Sequence, residues 1–220
     1  MKKLAVHFHL YYVEQLNEIL TYLKSLVSVD HDLFITMAKD DKNVRQKITD
    51  VCPRAEIWVV PNKGYDVGPF LDFLHHIDLD AYEYILKIHT KGTTSKNYTW
   101  LNKHRLNNRL WRRMLLDALL KDENRVRENL QLMDETPKIG MLSSQYCVTD
   151  SPKTYQKLLP QINRALEKCG FHKTGHLRFV AGTMFYVRAR LLKPLLKYNI
   201  NDFEICFKEV INDIKGKSNG

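Results

Sequence analysis

Short apolar runs alternate with amphipathic stretches through the first hundred residues. Residues 4–8 (LAVHF) form a compact run suited to a buried strand, and Leu16, Ile19, Leu20, Leu23 and Val27 then recur at helical spacing. Residues 32–37 (DLFITM) predict a second strand, and the polar segment 42–51 predicts a helix that Pro53 ends. Residues 56–60 (EIWVV) predict a third strand. Pro61, Asn62 and Gly64 punctuate the chain after it, and a helix is predicted to start near Asp66. Its apolar face carries Phe70, Leu71, Phe73, Leu74 and Ile77, and residues 84–88 (YILKI) give a fourth strand. Strands alternating with helices imply βαβ units, right-handed crossovers and a mostly parallel sheet. Such sheets bind ligands at the carboxyl ends of their strands. Residues 62–66 and 89–94 therefore mark the expected site.

The second half is less regular. Residues 105–120 and 124–134 predict helices, residues 139–143 a short strand, and residues 153–168 a helix that Pro160 kinks or divides. Residues 179–187 (FVAGTMFYV) read as a strand pair or a strand with a glycine bulge. Helices are predicted over 190–198 and 202–214, with a frayed tail at 216–220. No internal repeat or low-complexity linker divides the chain, so residues 1–220 are expected to form one α/β domain.

An apolar fraction of 44% and a charged fraction of 27% exclude a disordered chain. The net charge of +9 calls for an anionic partner: nucleic acid, a phosphate-bearing substrate or an acidic lipid surface. Basic clusters at 103–113 and 188–197 read equally as solvated helix faces. Cys52, Cys147, Cys169 and Cys206 show neither C-x-x-C nor zinc spacing, so reduced thiols are expected. The N-terminus opens like a signal peptide, but His7 and His9 interrupt its apolar run and no small-residue cleavage site follows. No stretch reaches the roughly 18 apolar residues of a membrane span. The expected location is the cytoplasm, or the inner face of the membrane.

Three segments can carry chemistry. In Pro61-Asn62-Lys63-Gly64-Tyr65-Asp66, Gly64 permits a left-handed turn and Asp66 suits a helix N-cap. The loop reads as a holder for a base or ribose, or as an ordinary βα turn. In the segment 87–94, strand alternation puts Lys87, His89 and Lys91 on one face. These groups repel one another unless something anionic sits among them. Gly92 would let a phosphate approach, and Thr93 and Thr94 add hydroxyl donors. A diphosphate meets all of these demands; a solvated basic loop is the alternative. Lys87 is the sharpest signal, since an unpaired lysine within an apolar run is rare. In the segment 179–188, small residues between bulky ones suit a strand passing under a ligand. His172 and His176 stand four apart, but Gly170 and Gly175 oppose the helix that a metal-binding pair needs, so no metal ligand is assigned. No G-x-G-x-x-G, Walker-type or G-x-S-x-G motif occurs, and no D-x-D follows the fourth strand.

VHFHLYY, DLFIT, NKGYDVGPFL, YILKIHTKGT and FVAGTMFYVRARLL follow one another over nearly the whole chain. In these segments and their order the sequence resembles the rhamnan synthesis protein F family of bacterial polysaccharide synthesis. That family is similar to sugar transferases of the GT-A type, with a Rossmann-like nucleotide-sugar binding domain. The resemblance implies a glycosyltransferase (hexosyltransferase) that takes a sugar from a nucleotide-diphosphate donor, with dTDP-rhamnose the first expectation. The acceptor would be a surface polysaccharide, lipopolysaccharide or lipid-linked glycan, reached in the cytoplasm or by peripheral contact with a membrane. Residues 1–100 would form the nucleotide-binding half and residues 101–220 the acceptor side.

Carried over, Asn62, Lys63, Gly64, Lys87 and Thr93 would bind the nucleotide and diphosphate, and Gly182, Thr183 and Asp150 would line the donor or acceptor pocket. His89, Lys91 and Asp66 would be catalytic. Lys87, His89 and Lys91 would stand where metal-dependent relatives carry D-x-D and stabilise the leaving diphosphate, His89 also as an acid. Asp66, Asp150 and Glu204 are the candidate bases. No cofactor is expected, although magnesium or manganese remains compatible. After the last strand this chain reads DFEICFKEVINDIKGKSNG, where family members typically carry an acidic D-G…A-H-x-x-E-R-like segment. Two rival readings are a basic nucleic-acid-binding module, for which no recognised motif appears, and an inactive scaffold of the same fold.

Overall fold

Nine residues at the N-terminus alternate between two faces and form β1 (Lys2–Leu10), with Leu4, Val6, Phe8 and Leu10 turned to one core. Ala5 on the opposite face joins a second core. The computed structural model describes residues 2–92, 98–101, 104–150, 156–199 and 201. After β1 come α1 (Leu16–Leu23), β2 (His31–Met37), α2 (Lys42–Val51) and β3 (Glu56–Val59). Then follow α3 (Val67–His76) and β4 (Tyr82–His89). Local chemistry sets the boundaries: Asp41 caps α2 by accepting from the amides of Asn43 and Val44. The expected strand–helix alternation is therefore present, with ends shifted by one or two residues.

β1 lies between β2 and β4, parallel to both, and β3 extends the sheet beyond β2, again in parallel. The other flank is antiparallel: β10 (Phe185–Arg188) pairs with β4, and β7 (Met141–Leu142) with β10. The sheet order is thus β3-β2-β1-β4-β10-β7. One face is covered by α1, α2, α4 (Asn108–Leu120) and α5 (Glu123–Glu135), whose apolar stripes meet Val6, Phe8, Ile35 and Leu86. The other face is covered by α3 and a 3-10 helix (Ala189–Lys197), through Phe70, Phe73, Leu74 and Leu192. This is the α/β architecture expected, a mostly parallel sheet with helices on both faces.

Several expectations for the second half need correction. Residues 105–107 are not the start of a helix. They belong to β6 (His104–Asn107), a hairpin partner of β5 (Tyr98–Leu101), and Asn107 caps α4 by accepting from the Leu110 amide at 2.8 Å. Pro160 neither kinks nor divides a helix; it sits in the first turn of α6 (Leu159–Lys168), where its missing N–H costs nothing. The segment 179–187 does hold two strands, as one of its two readings had it, but in separate sheets: β9 (Phe179–Val180) pairs with β8 (Val148–Thr149), and β10 joins the main sheet. Residues 189–197 are 3-10 rather than α-helical, with Pro194 inside. Thr93, Thr94, Glu204, Cys206 and the segment 202–220 lie outside the described residues. Cys52, Cys147 and Cys169 are free thiols. Among the described residues no helix is long and apolar enough to cross a membrane.

Candidate active site

The face of the sheet beneath α3 changes character along its length. Ala5 and Ile85 are apolar, but toward the carboxyl edge the same face carries His7 and His9 on β1, Thr36 on β2, and Lys87 and His89 on β4. Register aligns them in rows: His7 lies beside Lys87, and His9 lies between Thr36 and His89. All five are buried, with Lys87 only 1% exposed.

The anion that Lys87 requires comes from the chain itself. Lys87 Nζ donates to Asp66 Oδ2 at 2.5 Å and to the Thr183 carbonyl at 2.9 Å. Thr183 Oγ1 donates to the same carboxylate oxygen at 2.5 Å. Asp66 occupies the N-cap position of α3, yet its side chain makes no capping bond. The helix-cap expectation is corrected here: the carboxylate turns inward to the buried ammonium. Consecutive left-handed residues, Gly64 at φ 68° and Tyr65 at φ 54°, shape the turn immediately before it. Burial would raise the Asp66 carboxyl, but the Lys87 and His89 charges and the Lys87 and Thr183 hydrogen bonds outweigh it. They hold it well below the usual carboxylate range. Burial likewise lowers Lys87, with Asp66 opposing.

His89 is similarly committed. Its Nε2 lies 2.8 Å from the Gly182 carbonyl and its Nδ1 2.8 Å from the Thr90 carbonyl. Burial pulls the imidazole down to about 4, with Asp66 opposing. Two carbonyl acceptors also favour the proton, because only an imidazolium donates from both nitrogens. Neither ring nitrogen is left for a ligand, so the geometry speaks against His89 as the acid that protonates a leaving oxygen.

The contacts from β4 end on a strained turn. Gly182 has φ 96° and Thr183 φ 50°, a left-handed value that is unusual for a β-branched residue. A Cβ at Gly182 would stand 2.7 Å from Leu115 Cδ1 and 3.1 Å from Trp111 Nε1. Gly182→Ala is expected to destabilise the protein by about 1–3 kcal/mol, through overpacking and backbone strain together. Urea melts of the two proteins measure this.

Lys91 differs from Lys87 and His89. Its backbone N–H donates to Gln15 Oε1 at 3.0 Å, and its ammonium sits 3.9 Å from the centroid of the Trp111 ring. Among the described residues no carboxylate pairs with that ammonium. Burial lowers its pKa, with the Asp66 charge the main opposing influence. The cation is therefore held rather than neutralised. Beside it a cleft of about 440 Å³ opens at the carboxyl ends of β1 and β4, lined by His9, Tyr12, Asn62, Asp66, His89 and Lys91, among others. Gly64 and Gly92 belong to the same lining. A slightly larger cleft of about 490 Å³ lies at the amino ends of β2 and β3, the edge that sheets of this kind do not use for ligands.

The remaining expected residues are dispersed. Lys63 does not line the carboxyl-edge cleft; its Nζ reaches Asn201 Oδ1 at 3.5 Å. Asp150 also lies outside the lining, with His176 Nε2 at 3.9 Å from its carboxylate. Gly182 and Thr183 act from behind the cleft through Lys87, His89 and Asp66. His9 and Thr36 were not singled out from the sequence. Their signal was the one that marked Lys87: polar residues at alternate positions of buried strands.

Among the described residues this donor set leaves few free ligands for a divalent cation. Asp66 Oδ2 is engaged by Lys87 and Thr183, and both His89 nitrogens face carbonyls. Among the described residues no group of three or more His, Cys, Asp or Glu side chains is arranged to hold a metal.

The uncharacterized protein WxcX of Xanthomonas campestris pv. campestris (strain B100) is 25% identical over 205 residues, covering 91% of this chain. The chain spans only 28% of that protein's length. Among solved structures, glucosyl-3-phosphoglycerate synthase from Mycobacterium tuberculosis, in complex with Mn2+, uridine diphosphate and glucosyl-3-phosphoglycerate, is similar at 12% identity and a TM-score of 0.38. The overlay covers 87% of this chain and 58% of that one. S. aureus TarS 1-349 matches at 14% identity and a TM-score of 0.33, over 40% of this chain and 27% of its own. A putative nucleotide-diphospho-sugar transferase from Desulfovibrio desulfuricans G20 matches at 16% identity and a TM-score of 0.28, over 54% and 55% of the two chains. The description of one family, rhamnan synthesis protein F, runs over residues 1–215 and takes in every element of the sheet and the cleft, and the chain belongs to that family.

Proposed function

We propose that the chain is the catalytic domain of a glycosyltransferase that binds a nucleotide-sugar diphosphate in the carboxyl-edge cleft. The observation that carries this reading is Lys91, a half-buried cation without a carboxylate partner among the described residues, set at the mouth of that cleft. A diphosphate supplies the missing charge. One charge pair at 4 Å contributes about 4 kcal/mol at an effective dielectric near 20, against about 1 in water. Lys91 then stabilises the departing diphosphate as negative charge builds on it. Asn62 and the Gly64 turn line the same cleft, and their proposed role is to hold the nucleotide.

Lys87, His89 and Asp66 form the frame that fixes the cleft floor. A carboxylate so strongly held in its ionised form is a weak base, so Asp66 serves as counter-ion to Lys87. Rhamnose is the proposed sugar, and a surface polysaccharide or lipid-linked glycan is the proposed acceptor, both from family membership. Transfer is proposed to proceed without a bound metal.

A thermal-shift series with dTDP-, UDP- and GDP-sugars, each with EDTA, magnesium or manganese, tests the reading. Stabilisation by one nucleotide sugar in EDTA is expected. Lys91→Met keeps the stem over Trp111 and removes the charge; it is expected to weaken diphosphate binding about tenfold and to lower turnover. Unchanged affinity and turnover would remove Lys91 from the site. Binding to nucleic acid that falls steeply with salt, with no response to nucleotide sugars, would instead favour a nucleic-acid module.

A further inference from the structure

Thr36 is fully buried on β2, and its hydroxyl lies 3.0 Å from His7 Nε2 and 3.0 Å from His9 Nδ1. A hydroxyl has one proton and two lone pairs; accepting from both rings would leave its own buried proton without an acceptor, so it donates to one ring and accepts from the other. His7 decides the direction. Its second nitrogen, Nδ1, is buried without a partner, and its ring is stacked on Phe73 at 4.7 Å between centroids and tilted against Phe70 at 5.6 Å. If Thr36 donated to His7 Nε2, the proton of the neutral His7 ring would sit on Nδ1, as a buried N–H with no acceptor. Orphaned buried donors are rarer than under-satisfied acceptors. The opposite direction leaves a bare lone pair at that position instead. His7 Nε2–H therefore donates to Thr36 Oγ1, and the Thr36 hydroxyl donates to His9 Nδ1.

The consequence reaches the cleft. With Nδ1 accepting, the proton of a neutral His9 ring resides on Nε2. His9 lines the cleft beside Asp66, His89 and Lys91. Among the described residues His9 Nε2 has no protein hydrogen-bond partner. We infer that His7, Thr36 and His9 form a tautomer lock that presents His9 Nε2–H as an uncharged donor to an acceptor oxygen of the bound nucleotide sugar. The identity of the ligand rests on the function proposed above; the lock itself does not. Such a donor adds a directed hydrogen bond where Lys91 already supplies positive charge, and it discriminates against a ligand that offers an N–H or O–H there. Burial favours the neutral form of both rings, as do the charges of Lys87 and His89, with Asp66 opposing and, for His9, a hydrogen bond with the Thr36 backbone opposing as well.

The lock is read without a ligand. Long-range proton–nitrogen NMR spectra of the 15N-histidine-labelled protein at pH 7 report the tautomer of each ring. Both His7 and His9 are expected as Nε2–H forms. A His9 ring protonated at Nδ1, or at both nitrogens, overturns the inference. This measurement uses the unaltered protein and so does not depend on the folding of any variant. Thr36→Ser keeps the hydroxyl and is expected to keep the tautomer; Thr36→Val removes it and is expected to give mixed His9 tautomers and about fivefold weaker nucleotide-sugar binding. A nucleotide sugar is expected to shift the His9 Nε2 signal on binding. Binding that perturbs Lys91 but leaves His9 unmoved overturns the donor role. If no nucleotide sugar binds at all, the proposed function fails, while the ligand-free spectra still decide the lock.

Discussion

Asp66→Ala is expected to lower stability by about 3–5 kcal/mol, the usual cost of removing one member of a buried ion pair. For a chain of this size that is a fall of roughly 6–20 °C in melting temperature. The reason is Lys87, 1% exposed, whose ammonium would keep the Thr183 carbonyl but lose its carboxylate. Thr183 Oγ1 loses its acceptor at the same time. The double variant Asp66→Asn, Lys87→Met removes both charges and is expected to recover a large part of the loss, because a neutral pair leaves no uncompensated ion. Urea melts of the single and double variants check this. If the double variant loses as much as the two single changes added together, the pair is not coupled. The result also bears on function: an Asp66 variant that loses activity because it unfolds says nothing about a catalytic base.

The left half of the sheet was legible because periodicity there is strong and uninterrupted. The run LAVHF, the segment DLFITM and the helical face of Phe70, Phe73 and Leu74 each carry one period and one role. The hairpin of β5 and β6 was not legible, since Arg105 and Leu106 continue smoothly into the helical pattern of α4 and the boundary is set by Asn107 as a cap. Lys87 was correctly marked as needing an anion, yet sequence placed that anion in a ligand. The true partner lies 21 residues away at the start of α3, and a local capping role explained Asp66 so well that nothing suggested another use. Lys91 escaped such pairing because strand β4 ends at His89 and the chain beyond it turns toward Trp111. Thr36, between two histidines of another strand, is a cross-strand relation that register alone creates.

Acidification from pH 7.5 to pH 5 is expected to destabilise the protein through His7 and His9, by about 2 kcal/mol through His9 alone. Burial lowers the folded-state value of His9 to about 4, and that of His7 well below its ordinary 6.5. Between those values and 6.5 the unfolded chain holds protons that the folded chain does not. Stability is therefore full above about 6.5 and declines as the pH falls toward 4. At pH 5 the His9 ring accounts for about 2 kcal/mol, and His7 acts in the same direction. His89 is left out of the sum, because its two carbonyl acceptors and Asp66 favour the proton that burial opposes. Asp66 does not offset the trend: its depressed carboxyl stays ionised throughout this window and gives up its contribution only at more acidic pH. The net charge of +9 rises on acidification and its self-repulsion acts in the same direction. His9→Gln separates the two effects, since an amide cannot titrate; its melting temperature is expected to fall less over the same interval. Stability unchanged between pH 7.5 and 5 in the unaltered protein would mean that the rings accept protons without unfolding, and a ring that accepts a proton so readily cannot be held as a neutral donor by Thr36.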